Sequence, residues 1–299
     1  MRLMVFGAGA LGSVVAARLA EHHTVSLVGR REHVEAIRSR GLRITGHTEL
    51  VQTRIEALTD PAEVGDEPEA VLLTVKAYDT AAAIVALAPL VDSALFVSLQ
   101  NGLGNEEILA TRCARVLGAV INQGATMLAP GEVYHAGSGS IAIGPFFGTG
   151  ASDAEAIAAA LAEAGFPARA VTDIRARIWE KAILNAAVNP LSALLRKRTG
   201  ELIESDALRA AMRQVVDESV AIAAACGIAL AADAVFATIE QVAEATRDNK
   251  SSMYQDLERG RRTEIEAING ALVERAREHG VPCPANELLA QMIRAVSSP

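Results

Sequence analysis

Aromatic residues make up only 3% of this 299-residue chain, and cysteine occurs just three times, at Cys113, Cys226 and Cys283. A groove that stacks successive bases needs aromatic platforms, so the composition argues against a single-stranded nucleic-acid binder. Three widely spaced cysteines form neither a disulfide framework nor a zinc pattern, and no metal set is expected. Free thiols fit a reducing cytoplasm. Positive charge is short as well. With 28 Lys and Arg against 36 Asp and Glu, the net charge is −8 and the pI about 5.4. No basic stripe of the kind a nucleic-acid partner requires is visible. An anionic ligand must therefore be held by local positive groups rather than by the overall field. Long apolar runs are missing too. The most apolar helical stretch, Ala221 to Ala237, contains Gly227 and Asp233 and reads as a buried helix, not a membrane span. No signal peptide is expected, because the chain opens directly into a strand pattern.

What the chain does have is apolar residues, 51% of the total, much of it helix-favouring alanine. The length suggests two domains. In the first half, short Val- and Leu-rich runs bounded by Gly or Asn read as buried strands: Leu3–Phe6, Val25–Val28, Ala70–Val75, Leu95–Leu99 and Val116–Val120. Helical patterns such as Leu11–Glu21, Glu32–Arg40 and Thr80–Leu87 lie between them. That alternation predicts a parallel sheet covered on both faces. Leu42–Thr45, Val51–Ala57, Ala125–Ala129 and Ser140–Ile143 read as further strands, and the glycine-rich Pro130–Gly150 region as loop. After a helix over Asp153–Gly165 and a strand over Ala168–Val171, Asp173 is a plausible helix N-cap. From Ile174 to Ala295 the pattern is helical, broken at Pro190, Gly200, Gly227 and Gly280. The expected organisation is α/β: residues 1–172 as a nucleotide-binding parallel-sheet domain, and residues 173–299 as an all-helical domain.

Gly7-Ala8-Gly9-Ala10-Leu11-Gly12 follows the first strand and opens the first helix. In that setting G-x-G-x-x-G marks a dinucleotide site. The first glycine makes the tight turn, the second admits the pyrophosphate, and the third packs helix on strand. The helix N-terminus offers N–H groups and a positive dipole end to the anion. An NAD site usually carries an acid about 20 residues further on. Here Arg30 and Arg31 stand there instead. A guanidinium pairs bidentately with a phosphate dianion, which points to NADP with Arg30 as the better candidate. The other reading is a pair of arginines capping a surface turn.

Lys76 and Asn101 stand just beyond expected strand C-termini, where open α/β sheets bind ligands. Read alone, Lys76 is as readily a solvated lysine, and Asn101 an Asn-Gly turn. In the second half, Lys181, Asn185 and Asn189 recur at i, i+4 and i+8 and share one face of an otherwise apolar helix. Such groups need partners, either a polar ligand in a cleft or a wet seam between helices. A second cluster runs from Ser251-Ser252-Met253 to Thr263-Glu264-Ile265 and Asn269-Gly270.

Taken in order, Gly7–Gly12, Val75-Lys76-Ala77, Gln100-Asn101-Gly102, Trp179-Glu180-Lys181, Asn185 to Pro190 and the second cluster make the chain resemble the 2-dehydropantoate 2-reductases, or ketopantoate reductases. The resemblance covers essentially the whole chain. It implies a Rossmann-type domain followed by a helical domain, with the active site in the cleft between. It also implies NADPH-dependent reduction of ketopantoate to (R)-pantoate in pantothenate synthesis. By the same resemblance Lys181 corresponds to the catalytic lysine and Glu264 to its partner carboxylate. Asn185 and Asn189 correspond to substrate amides, Ser252 to a hydroxyl on the substrate carboxylate, Asn101 to a bridge between cofactor and substrate, and Lys76 to a cofactor or closure contact. Glu264 counts among the cofactor contacts as well. Asp79 departs from the glutamine that some relatives carry as a cofactor contact, so that role is not transferred. Two alternatives remain at this level: reduction of another branched or aromatic 2-oxo acid, with NAD as its cofactor in one version, and a non-catalytic NADP-binding sensor. The partner expected is a small-molecule 2-oxo acid, with neither nucleic acid nor membrane, and the apolar second domain leaves a homodimer open.

Overall fold

The computed structural model describes residues 1–297. Two compact units divide the chain. Met1–Gln100 and Asn105–Ile174 form the first, while Asn101–Gly104 and the chain from Arg175 onward form the second.

The first unit runs β1 (Arg2–Phe6), α1 (Ala10–Leu19), β2 (Thr24–Val28), α2 (Arg31–Arg40), β3 (Leu42–Gly46), β4 (Leu50–Gln52), β5 (Glu56–Leu58), β6 (Ala70–Leu73), α3 (Thr80–Ala86), β7 (Leu95–Ser98), α4 (Asn105–Ala110), β8 (Val116–Ala129), β9 (Glu132–Phe147), α5 (Ala151–Glu163) and β10 (Ala168–Ala170). One sheet collects the strands in the order β4-β3-β9-β8-β7-β6-β1-β2-β5, with β10 alongside β9. From β5 to β8 every pairing is parallel. The alternation of side chains along each strand separates two cores. Leu3 and Val5 of β1 pack with Val14 and Val15 of α1, Val34 and Ile37 of α2, and Ile157 and Leu161 of α5. Met4, Val71, Leu73 and Phe96 point the other way, onto Ala83 and Ile84 of α3 and Leu109 of α4. Burial on both faces is why these strands read as unbroken apolar runs.

Three expectations for this unit change. Pro130–Gly150 is not loop, because β9 occupies Glu132–Phe147 and pairs antiparallel along β8. Register shifts, including those at Ile121/Gln123 and Gly124/Ala125, absorb the irregular pattern as bulges. The strands expected at Ala125–Ala129 and Ser140–Ile143 are parts of β8 and β9. The single strand expected over Val51–Ala57 is two, β4 and β5, which lie at opposite edges of the sheet.

The second unit is helical: α6 (Ile174–Leu195), α7 (Thr199–Ile203), α8 (Asp206–Ala225), α9 (Ala232–Ala245), α10 (Ser252–Glu258), α11 (Asn269–His279) and α12 (Pro284–Ser297). Gly280 caps α11 in the left-handed conformation, φ 66°. Gly227 likewise follows α8 with φ 79°. The break expected at Gly200 falls just ahead of it, between the end of α6 at Leu195 and the start of α7 at Thr199, and the one expected at Pro190 is absent. Gly200 sits inside α7, where a Cβ would meet the backbone and Cβ of Arg247. Pro190 lies within α6, which continues for five more residues. An interior proline costs a helix about 3 kcal/mol through a lost hydrogen bond and a clash, so tertiary contacts must support this turn. No described helix is long and apolar enough to cross a membrane.

Candidate active site

In the first unit the glycine turn joins β1 to α1 and is fastened from both sides. The N–H groups of Gly7 and Ala8 both donate to the Val28 carbonyl at the end of β2, at 3.0 and 2.9 Å. The first intrahelical bond runs from Ser13 N–H to the Gly9 carbonyl, 2.9 Å. The N–H groups of Ala10, Leu11 and Gly12 precede it and form the positive end of the helix.

The three glycines are required for different reasons. A Cβ on Gly7, at φ 119°, would lie 2.6 Å from Val75 N, and one on Gly12 would lie 2.2 Å from the Gly7 carbonyl oxygen. Both are demanded by the protein itself. Gly9 has ordinary extended torsions, φ −77° and ψ −173°, and a Cβ there would meet nothing within 4 Å. Neither backbone nor packing calls for glycine at Gly9, so the space above it is open to a ligand that comes close to the main chain. A pyrophosphate over the α1 N-terminus fits that space.

Thr74, just past β6, also shapes the turn and was not singled out by the sequence. Its hydroxyl donates to the Gly7 carbonyl at 2.7 Å and would crowd any Cβ on Gly12. Gln100 went unassigned too. Its amide donates to the Val75 carbonyl at 3.0 Å and to the Thr80 hydroxyl at 2.8 Å, bracing the strand end that leads to Lys76. The only signal for either was a polar residue at the end of an apolar strand. Thr74→Val keeps the shape and removes the donor. One net hydrogen bond is worth about 1 kcal/mol. The expected result is NADPH binding weakened about two- to tenfold with kcat nearly unchanged, read by fluorescence titration. Unaltered binding would show that the turn holds without Thr74.

Arg30 is the N-cap residue of α2 and is exposed. Arg31 is exposed as well, at the start of α2, and makes an i,i+4 ion pair with Glu35 at 3.9 Å. Lys76 is half-buried and precedes the turn Ala77–Asp79, and Asp79 is exposed. A cavity of about 240 Å³ opens beside Arg2, Thr24 and Ser26, at the N-terminal ends of β1 and β2. That is the opposite end of the strands from the glycine turn, and ligands of open parallel sheets bind at the C-terminal ends.

In the second unit α6 presents Lys181, Asn185 and Asn189 on one face. Lys181 and Asn185 are half-buried and Asn189 is buried. Burial pulls the Lys181 amine down to about 8, while the Glu264 carboxylate acts in the opposite sense and favours the ammonium. The structure therefore brings Lys181 and Glu264 within electrostatic reach of each other. Glu264 is buried and precedes the tight turn Ile265–Ala267. Against that turn lies Asn101–Gly104. Leu103 N–H donates to the Ala267 carbonyl at 2.8 Å, and Gly102, at φ 91°, leaves no room for a Cβ there. Asn101 is thus carried beside the Glu264 turn within one unit. Ser251 uses its hydroxyl to cap α10 by accepting from Tyr254 N–H, 3.1 Å, whereas Ser252 begins the helix and is exposed. No group of three His, Cys, Asp or Glu residues that could hold a metal occurs among the described residues.

A Rossmann-type sheet with a glycine turn open to a dinucleotide, and a lysine and carboxylate on a separate helical unit, define an oxidoreductase of the nicotinamide-dependent kind. Residues 3–148 match the Ketopantoate reductase PanE/ApbA family, and residues 173–297 match Ketopantoate reductase PanE/ApbA C terminal. The chain is 41% identical to the 2-dehydropantoate 2-reductase of Archaeoglobus fulgidus, across 99% of this chain and 98% of that one. The enzyme of the same name from Halobacterium salinarum is 38% identical, across 98% of each. A PanE/ApbA family ketopantoate reductase from Ralstonia eutropha superposes with a TM-score of 0.91 at 37% identity, covering 99% and 98% of the two chains. D-mandelate dehydrogenase, solved with NADH and anilino(oxo)acetate, superposes at 0.93 with 28% identity and the same coverage. The chain belongs to the ketopantoate reductase family.

Proposed function

We propose that the chain reduces 2-dehydropantoate to (R)-pantoate with NADPH, and that its named residues divide the work as follows. Gly7, Ala8, Gly9, Ala10, Leu11 and Gly12 hold the pyrophosphate at the start of α1, Arg30 holds the 2′-phosphate, and Lys76 contacts the cofactor. Asn101 and Glu264 contact both cofactor and substrate. When bound, the nicotinamide supplies the hydride that reaches C2 of the 2-oxo acid. Lys181 stabilises the charge growing on the carbonyl oxygen and gives that oxygen its proton. Glu264 keeps the buried amine in its ammonium form. Asn185 and Asn189 hold the substrate's distal hydroxyl, and Ser252 its carboxylate.

The observation that carries this reading is the Lys181 amine, drawn down to about 8 by burial and opposed by Glu264. An acid of that strength is charged at neutral pH yet gives up its proton readily. A second reading follows from the D-mandelate dehydrogenase neighbour: reduction of a bulkier 2-oxo acid with NADH. Arg30, where an NAD site would carry an acid, favours the first. The test follows NADPH oxidation, and NADH oxidation in parallel, on addition of ketopantoate, of trimethylpyruvate (which lacks only the distal hydroxyl) and of phenylglyoxylate. Ketopantoate is expected to be the best substrate by kcat/KM. The buried Asn189 amide left unpaired by trimethylpyruvate costs about 1–3 kcal/mol, so its kcat/KM should fall by about tenfold or more. Preference for phenylglyoxylate with NADH would replace the first reading by the second, and no oxidation with any of them would remove both.

A further inference from the structure

Pro190 has no N–H, so the carbonyl of Ala186, four residues earlier in α6, loses its helical partner. Ala186 is fully buried and its carbonyl cannot turn to water. A buried carbonyl in that position needs another donor. The side chain of Asn269 supplies it: Nδ2 donates to the Ala186 carbonyl at 3.2 Å. The second hydrogen of the same Nδ2 goes to Asn286 Oδ1, 3.1 Å. Asn286 in turn donates to Glu218 Oε2 at 2.9 Å, and Glu218 accepts the N–H groups of Ala285 and Asn286 at the start of α12. Asn269 Oδ1 is buried with no partner among the described residues. The amide thus spends both N–H bonds on two acceptors and leaves its oxygen unsatisfied, so its orientation is dictated by what it ties together.

The tie falls in the turn of α6 that carries the residues read above as substrate contacts. Ala186 lies between Asn185 and Asn189, and Asn269 follows Glu264 by five residues, at the head of α11. We infer that Asn269 is a positioning residue for the reaction: by standing in for the hydrogen bond that Pro190 removes, it fixes the turn of α6 bearing Asn185 and Asn189 relative to the Glu264 segment. The inference rests on the reading of those residues given above. It adds a residue that touches neither substrate nor cofactor.

A double-mutant cycle tests it. Pro190→Ala restores an N–H for the Ala186 carbonyl and makes the Asn269 bond redundant. Each variant is assayed for kcat/KM with ketopantoate and with trimethylpyruvate, and for stability in urea. In the native background, Asn269→Ala should lower the preference for ketopantoate over trimethylpyruvate at least threefold, because the amides that read the distal hydroxyl are displaced. In the Pro190→Ala background the same change should cost markedly less preference and less stability. A lesion that is only structural would reduce the amount of active enzyme and scale both substrates alike. An unchanged preference therefore overturns the inference, as does equal loss in both backgrounds. If Asn269→Ala does not fold, Asn269→Ser, too short to span to Ala186, takes its place in the cycle. A native chain inactive on both substrates removes the functional reading itself, and this inference with it. An active native chain with an unmoved preference removes only the inference.

Discussion

Lys181→Ala is expected to lower kcat for ketopantoate by about 10²–10⁴-fold, the usual contribution of a positioned general acid. NADPH affinity should barely move, since the glycine turn and Arg30 are untouched. The pH profile carries the independent check. Burial holds Lys181 down at about 8, so it is an ammonium below that pH and neutral above it. Reduction needs the ammonium, and activity in that direction should fall along an alkaline limb near 8. The Glu264 carboxylate raises the Lys181 value, so Glu264→Gln removes that support and should move the limb to lower pH. A kcat for Lys181→Ala within about tenfold of the native enzyme, with the limb unmoved, would strike Lys181 from the mechanism. A loss confined to KM would reduce it to ground-state binding.

Arg30→Ala is expected to weaken NADPH by about tenfold or more while leaving NADH nearly unchanged. A hydrogen bond to a charged group is worth about 1.5–3 kcal/mol, roughly ten- to a hundredfold in affinity. Arg30 is exposed, so solvent screening places the effect in the lower part of that range. Arg31 is already engaged with Glu35, and Arg31→Ala should discriminate less between the cofactors. Kd values for both cofactors with both variants decide the matter. Equal weakening of NADPH and NADH by Arg30→Ala would show that the guanidinium does not read the 2′-phosphate.

The parts of the molecule that follow local rules were legible in the sequence. The glycine turn announces itself because the strand before it and the helix after it are both encoded nearby, and the apolar runs of β1, β2, β6 and β7 are buried on two faces. The parts that depend on distant partners were not. Glycines in β9 suggest loop until β8 is laid alongside it and the bulges take up the irregularity. Val51–Ala57 looks like one strand because its apolar residues are close in sequence, yet β4 and β5 end on opposite edges. Pro190 reads as a helix stop because the residue that rescues its freed carbonyl, Asn269, lies far along the chain. At the candidate site, spacing placed Lys181, Asn185 and Asn189 on one face. No local pattern could bring Glu264 to Lys181 or Asn101 to the turn after Glu264.

The placement of Asn101–Gly104 also bears on how the chain is made. Leu103 donates to Ala267, about 160 residues later, and Gly102 is fitted to the same residue. At synthesis rates of roughly 5–20 residues per second, this loop leaves the ribosome about ten to thirty seconds before its partner exists. Through that interval the sheet on either side of it can form, but the loop itself must wait. Asn101 acquires its fixed surroundings only when nearly nine-tenths of the chain has arrived, so a nascent chain stalled before Ala267 would have its glycine turn in place well before the Asn101 loop found its seat.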